Sequence, residues 1–174
     1  SAHMKQLGLQ PKQLGILLVD EPLSDAQDAI IAAWAKAINA TAPELTLFED
    51  SARSRPDQAK RQDAITNVDL LCFQIQFFEA GGNELKAYAQ GLHQQGKELW
   101  LYQATGPVRW YDPQRSYRQL AWYSFSIGGT GESFWSFGDT GGAPTSWNEY
   151  ETYVTYAPAF IDKDTVYDSI HWDA

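Results

Sequence analysis

The chain has 174 residues, 44% hydrophobic and 20% charged, enough for one domain with a real apolar core. Its net charge is −9 with no basic run, which argues against nucleic acid or an anionic membrane surface as partner. No apolar stretch approaches a membrane span, the single cysteine, Cys72, cannot form an internal disulfide, and His93 and His171 lack a His or Cys partner at ligand spacing, so no metal site or cofactor is expected.

Residues 1–4, Ser1-Ala2-His3-Met4, read as a scar from tag removal. Met4 is the only methionine, so the rest of the chain is expected to be a segment of a longer protein. Gly15-Ile16-Leu17-Leu18-Val19 is a continuous apolar run ending in Asp20-Glu21-Pro22, which suits a strand buried on both faces. Ser24 and Gln27 form a capping-box pattern, followed by an apolar stripe of Ala26, Ile30, Ala33, Trp34, Ala37 and Ile38. Leu45–Phe48 predicts a strand, about Pro56 to Ile65 a polar helix, and Val68–Gln74 a third strand around Cys72, whose thiol reads either as buried structure or as a reactive group. Gly81-Gly82-Asn83 opens a helix with the stripe Leu85, Tyr88, Ala89 and Leu92, stopped by Gly96. Glu98–Gln103 predicts a fourth strand. Asp112 and Pro113 open a helix running to about Ile127, and Ser133–Phe137 predicts a fifth strand.

Strands alternating with helices imply parallel β/α architecture with right-handed crossovers. No Gly-x-Gly-x-x-Gly or Walker-type loop follows any strand, which weakens a nucleotide-binding fold. Residues 5–137 therefore read as a partial (β/α)8 TIM barrel, since five strands are too few for a closed one. Residues 138–174 read as an extension, with short strands at Tyr153–Tyr156 and Ala159–Ile161 and a helix start at Ser169.

Barrel chemistry gathers at the C-terminal ends of the strands. Those ends carry Asp20 and Glu21, Glu49 and Asp50, Gln74 and Gln76, Tyr102 and Gln103, and Trp135 and Ser136. Pro22 disfavours helical geometry at Glu21, which predicts an extended acidic pair at the rim. Two carboxylates confined together repel, so one can keep a proton and act as general acid; the alternative is that one caps the next helix and the other is solvated. Trp110, Trp135 and Tyr102, interleaved with Gln74, Gln103, Asp50 and Arg109, suit a sugar, whose C–H faces stack on rings. Trp34, Trp122 and Trp100 fit core packing better, and Asp50 serves equally as a loop start.

Leu17-Leu18-Val19-Asp20-Glu21-Pro22, the helix with Trp34-Ala35-Lys36-Ala37, Leu99–Pro107, Leu120-Ala121-Trp122, Gly128–Ser136 and the ending Ser169–Ala174 resemble, in order and spacing, glycoside hydrolase family 123 and its barrel relatives. His171 and Asp173 stand where that pattern has Arg and Glu. The resemblance implies a retaining β-N-acetylhexosaminidase, chiefly on N-acetylgalactosamine, with substrate-assisted catalysis and no enzyme nucleophile. It implies Glu21 as general acid/base and Asp20 as the group orienting the 2-acetamido substituent, and it favours a secreted or periplasmic location. Two rivals stand beside it: a glycosidase with a separate nucleophile at Asp50 or Glu79, and a non-catalytic carbohydrate-binding or structural half-barrel. Open sheet edges of a partial barrel also predict self-association of the fragment.

Overall fold

The computed structural model describes residues 2–51, 59–104, 114–138, 140, 144–147 and 158–169. After a short helix α1 (Ala2–Gln6) and a 3-10 turn (Pro11–Gln13), strands and helices alternate: β1 (Gly15–Leu17), α2 (Asp25–Thr41), β2 (Thr46–Ser51), α3 (Ala59–Asn67), β3 (Leu70–Gln74), α4 (Ile75–Ala80), α5 (Gly82–Gln94) and β4 (Glu98–Gln103). A π-helical turn (Gln114–Arg118) leads into α6 (Gln119–Ser126) and β5 (Gly131–Phe134). The five strands pair in parallel in the order β1-β2-β3-β4-β5, curling into a partial (β/α) barrel. A separate antiparallel pair, β6 (Ala159–Ile161) and β7 (Val166–Asp168), follows.

Strand side chains alternate between two environments, as the pleat requires. Leu47, Leu71, Phe73, Leu99 and Leu101 face the helices and pack with Ile31, Ala35, Ile65, Phe78, Leu85 and Leu92 into the main core. Fully burying a leucine such as Leu99 or Leu101 stabilises the fold by about 1.5–3 kcal/mol. The alternate residues Leu70, Cys72 and Tyr102 gather inside the curl with Phe48, Trp100 and Ala104. A Cβ at Gly131 would collide with the Trp100 ring, so this glycine gives the indole room to lie across β5. That inner layer is the floor of the site described below.

Several boundaries differ from the sequence reading. On α2 the buried residues are Asp28, Ile31, Ala32 and Ala35, whereas Ile30 and Trp34 are exposed, Trp34 to 60%. The helix is apolar around most of its circumference, so periodicity alone did not fix its inner face. Trp122, assigned to core packing, is 71% exposed on α6, against the edge of Phe125. The α4 helix was not anticipated, because its cap is a glutamine: the Gln74 side chain accepts the Phe77 N–H at 3.0 Å. The fifth strand lies at Gly131–Phe134, two residues earlier than expected, and β7 was missed. The proposed strand Tyr153–Tyr156 and the helix cap Asp112-Pro113 lie outside the described residues.

Candidate active site

The acidic pair sits where β1 leaves the sheet. Leu18 and Val19 still pack on the core, which anchors the segment up to the first carboxylate. Ser24 caps α2, its hydroxyl accepting the Gln27 N–H at 3.3 Å, and the Gln27 side chain accepts the Leu23 N–H at 2.9 Å. The cap is thus supplied beyond the pair, and the reading of Asp20 or Glu21 as a helix cap loses its basis.

The pair is not extended. Glu21 has φ 42°, in the left-handed region, a conformation that costs a non-glycine residue on the order of 1–3 kcal/mol. Two interactions account for it. The Glu21 N–H donates to Asp50 Oδ1 at 2.9 Å, and Tyr102 donates its hydroxyl to Glu21 Oε1 at 2.5 Å. The backbone must turn out of the strand for the amide to reach the neighbouring β2 tip, and Pro22, which is buried, holds the turn. Hydrogen bonds of this kind contribute about 0.5–1.5 kcal/mol each, enough together to offset much of the strained φ.

Strand register explains the rest. Phe48 and Asp50 on β2, Cys72 on β3, Tyr102 and Ala104 from β4, and Ser133 on β5 all lie on the inner face, since Asp50 pairs with Cys72 and Tyr102 with Ser133. With Asp20, Glu21, Phe134 and Trp135 they line a cavity of about 500 Å³, within the range for small-ligand sites. Trp135 continues the β4–β5 ladder by donating its N–H to the Gln103 carbonyl at 2.9 Å, and its ring is 58% exposed on the cavity wall.

The electrostatics separate the acids. Burial pushes the Asp50 carboxyl up to about 7, and the hydrogen bond and negative charge of Asp20 push the same way, while the Glu21 N–H opposes them. The carboxyl that keeps its proton towards neutrality is therefore Asp50, at the tip of the strand next to Asp20. Burial also raises the Tyr102 phenol, and its bond to Glu21 raises it further, so it stays a neutral donor. The Cys72 thiol is pushed up to about 12 by burial and lies 3.6 Å from Ser133 Oγ, which makes it an inert floor group. Among the described residues no group of three or more His, Cys, Asp or Glu side chains is placed to hold a metal ion.

Of the residues singled out from sequence, Asp20, Glu21, Asp50, Tyr102 and Trp135 come together. Gln74 does not join them: it caps α4 and donates to Gln76 Oε1. Gln103 lines a second cavity of about 500 Å³ behind the sheet, with Gln76, Glu79, Gln119 and Tyr123. Trp147 stays apart from the first cavity and stacks on Phe160 at 4.6 Å between ring centroids. Arg109 and Trp110 lie outside the described residues. Phe48, Ser133 and Phe134 were missed as wall residues, although the two-residue alternation that places Asp50 inside places Phe48 there too.

No family model and no curated protein matches the chain by sequence. Among solved structures it is similar to a family 123 glycoside hydrolase from Clostridium perfringens, whose structure was analysed for glycolipid glycan hydrolysis. The match has a TM-score of 0.64 at 13% identity and covers 99% of this chain but 30% of that one. The fold is thus like part of the family 123 enzyme, and the chain spans under a third of that structure's length.

Proposed function

We propose that this chain is the acid-bearing part of a glycoside hydrolase barrel, of the retaining β-N-acetylhexosaminidase type. One observation carries the reading: Asp20 and Glu21, adjacent in sequence, line one cavity of about 500 Å³ with the exposed Trp135 ring and the neutral Tyr102 hydroxyl. The likeness of fold to a family 123 enzyme supports it.

Under this reading the sugar stacks on Trp135. Its own acetamido oxygen attacks the anomeric carbon while Glu21 gives a proton to the departing glycosidic oxygen. Asp20 accepts the acetamido N–H and steadies the positive charge that develops on the oxazolinium ring. Water then opens that ring, and Glu21 takes the proton back. Tyr102 keeps the Glu21 carboxyl aimed into the cavity.

The rival with a separate carboxylate nucleophile is less well supported. Glu79 lines the other cavity. Asp50 holds a proton up to about pH 7 and accepts the Glu21 amide, so it is poorly suited to attack carbon. The test is hydrolysis of a chromogenic N-acetyl-β-galactosaminide by the full-length protein, beside the plain galactoside. The reading expects cleavage of the first only, and a loss of ~10²–10⁴-fold in Glu21→Gln. Equal rates on both sugars would favour the nucleophile rival, and unchanged turnover in the variant would end the proposal.

A further inference from the structure

We propose that Asp50 is a positioning residue: its carboxyl fixes Glu21 through the backbone amide and stands beside Asp20 in the same cavity, so that one side chain orients both acids. The inference rests on the reading of Asp20 and Glu21 as the working carboxylates, but its structural half can be tested without turnover.

Asp50 bonds to one member of the pair and lines the same cavity as the other. Its Oδ1 accepts the Glu21 N–H at 2.9 Å, at the residue whose φ of 42° turns the chain. Asp20 lines the same cavity; burial pushes the Asp50 carboxyl up, and the negative charge of Asp20 adds to that. Among the described residues the titratable groups facing Asp50 are Asp20 and Glu21 from the β1 loop, Cys72 from β3 and Tyr102 from β4. The thiol and the phenol are both pushed up by burial, so neither ionises near neutrality. Among the described residues the charge facing Asp50 therefore comes from carboxylates alone.

The consequence follows from Coulomb repulsion. Below about pH 7, Asp50 is protonated and the two acids lie side by side. Above it Asp50 ionises, two carboxylates face each other in a partly buried site, and Asp20 swings away from where the acetamido group would sit. Asp50→Asn imitates the protonated form at every pH: its amide oxygen accepts the Glu21 N–H and its side chain stays uncharged beside Asp20. Asp50→Ala removes the bond to Glu21.

The structural arm follows the Glu21 backbone amide by NMR in this chain. The expected result is a chemical-shift titration with a midpoint near pH 7. In D50N that step disappears and the amide stays hydrogen-bonded; in D50A the amide moves upfield. An unchanged Glu21 amide in D50A, or a step near 7 that persists in D50N, overturns the proposal. The activity arm follows kcat/KM against pH in the full-length protein. The wild type should lose about tenfold per pH unit above 7, and D50N should carry its alkaline limb at least one pH unit higher, while D50A falls ~10²-fold throughout. An alkaline limb in the same place in D50N as in the wild type contradicts the role. Failure of hydrolysis altogether would strike the glycosidase reading and leave the NMR result to decide the positioning of Glu21.

Discussion

The strand tips on the two sides of the half-barrel carry similar polar side chains but use them differently. At β1 and β2, the side chains of Asp20, Glu21 and Asp50 are turned toward one another across an open cavity, because Ser24 and Gln27 satisfy the start of α2. At β3, Gln74 satisfies the start of α4, and at β4, Gln103 points behind the sheet while Tyr102 points inside. Which polar group remains available for chemistry is thus decided by two local facts: the parity of the residue on its strand, and whether another side chain already caps the next helix.

Substitutions on the two sides should have opposite effects. The largest effect belongs to Glu21→Gln, with the ~10²–10⁴-fold loss of turnover given above. Tyr102→Phe removes the hydroxyl that holds Glu21, and a lost hydrogen bond of about 0.5–1.5 kcal/mol corresponds to a roughly 2- to 10-fold fall in kcat/KM, with a similarly small loss of stability. Gln74→Ala should do the opposite. Loss of the α4 cap costs about 0.5–2 kcal/mol, read as a lower Tm, with hydrolysis unaffected. A fall in rate for Q74A comparable to that for Y102F would erase the distinction between the two sides.

The smallest effect concerns stability against pH. Asp50 has a folded pKa of about 7, raised above its ordinary value of 3.8, so the native state keeps a proton that the unfolded chain releases. Its contribution to stability is fully present below pH 3.8 and is lost as pH rises to about 7. Urea midpoints should therefore decline across that window, and D50N should flatten the decline. A wild-type midpoint that rises between pH 4 and 7 while that of D50N stays level would reverse the assigned sign.

Much of the frame was legible in the residues. The runs at Val68–Gln74 and Glu98–Gln103 read as strands because they are apolar at nearly every position, and the α5 stripe read correctly because its other faces are polar. The α2 face did not, since alanine and tryptophan surround that helix. The run at Gly15–Val19 did not read as well: only Gly15–Leu17 forms β1, and Gly15 and Leu17 are exposed rather than buried on both faces, because β1 lies at the edge of the sheet. At the site, Asp20 and Glu21 stood out by their place after a strand. The contact between Tyr102 and Glu21, 81 residues apart, depends on strand register and curl, which no local pattern encodes. The left-handed Glu21 had no sequence signal either: Pro22 argued for an extended pair, and the acceptor that turns the amide lies on β2.

The central claim is that the cavity between Asp20, Glu21 and Trp135 receives an N-acetylhexosamine. A crystal structure of the full-length protein with an N-acetylgalactosamine-derived thiazoline would test it most directly. The account predicts the ring over Trp135 with its thiazoline nitrogen at ~2.7–3.2 Å from the Asp20 carboxyl. A sugar seated instead among Gln76, Gln103 and Tyr123, or an Asp20 side chain turned out to bulk water in the complex, would contradict it.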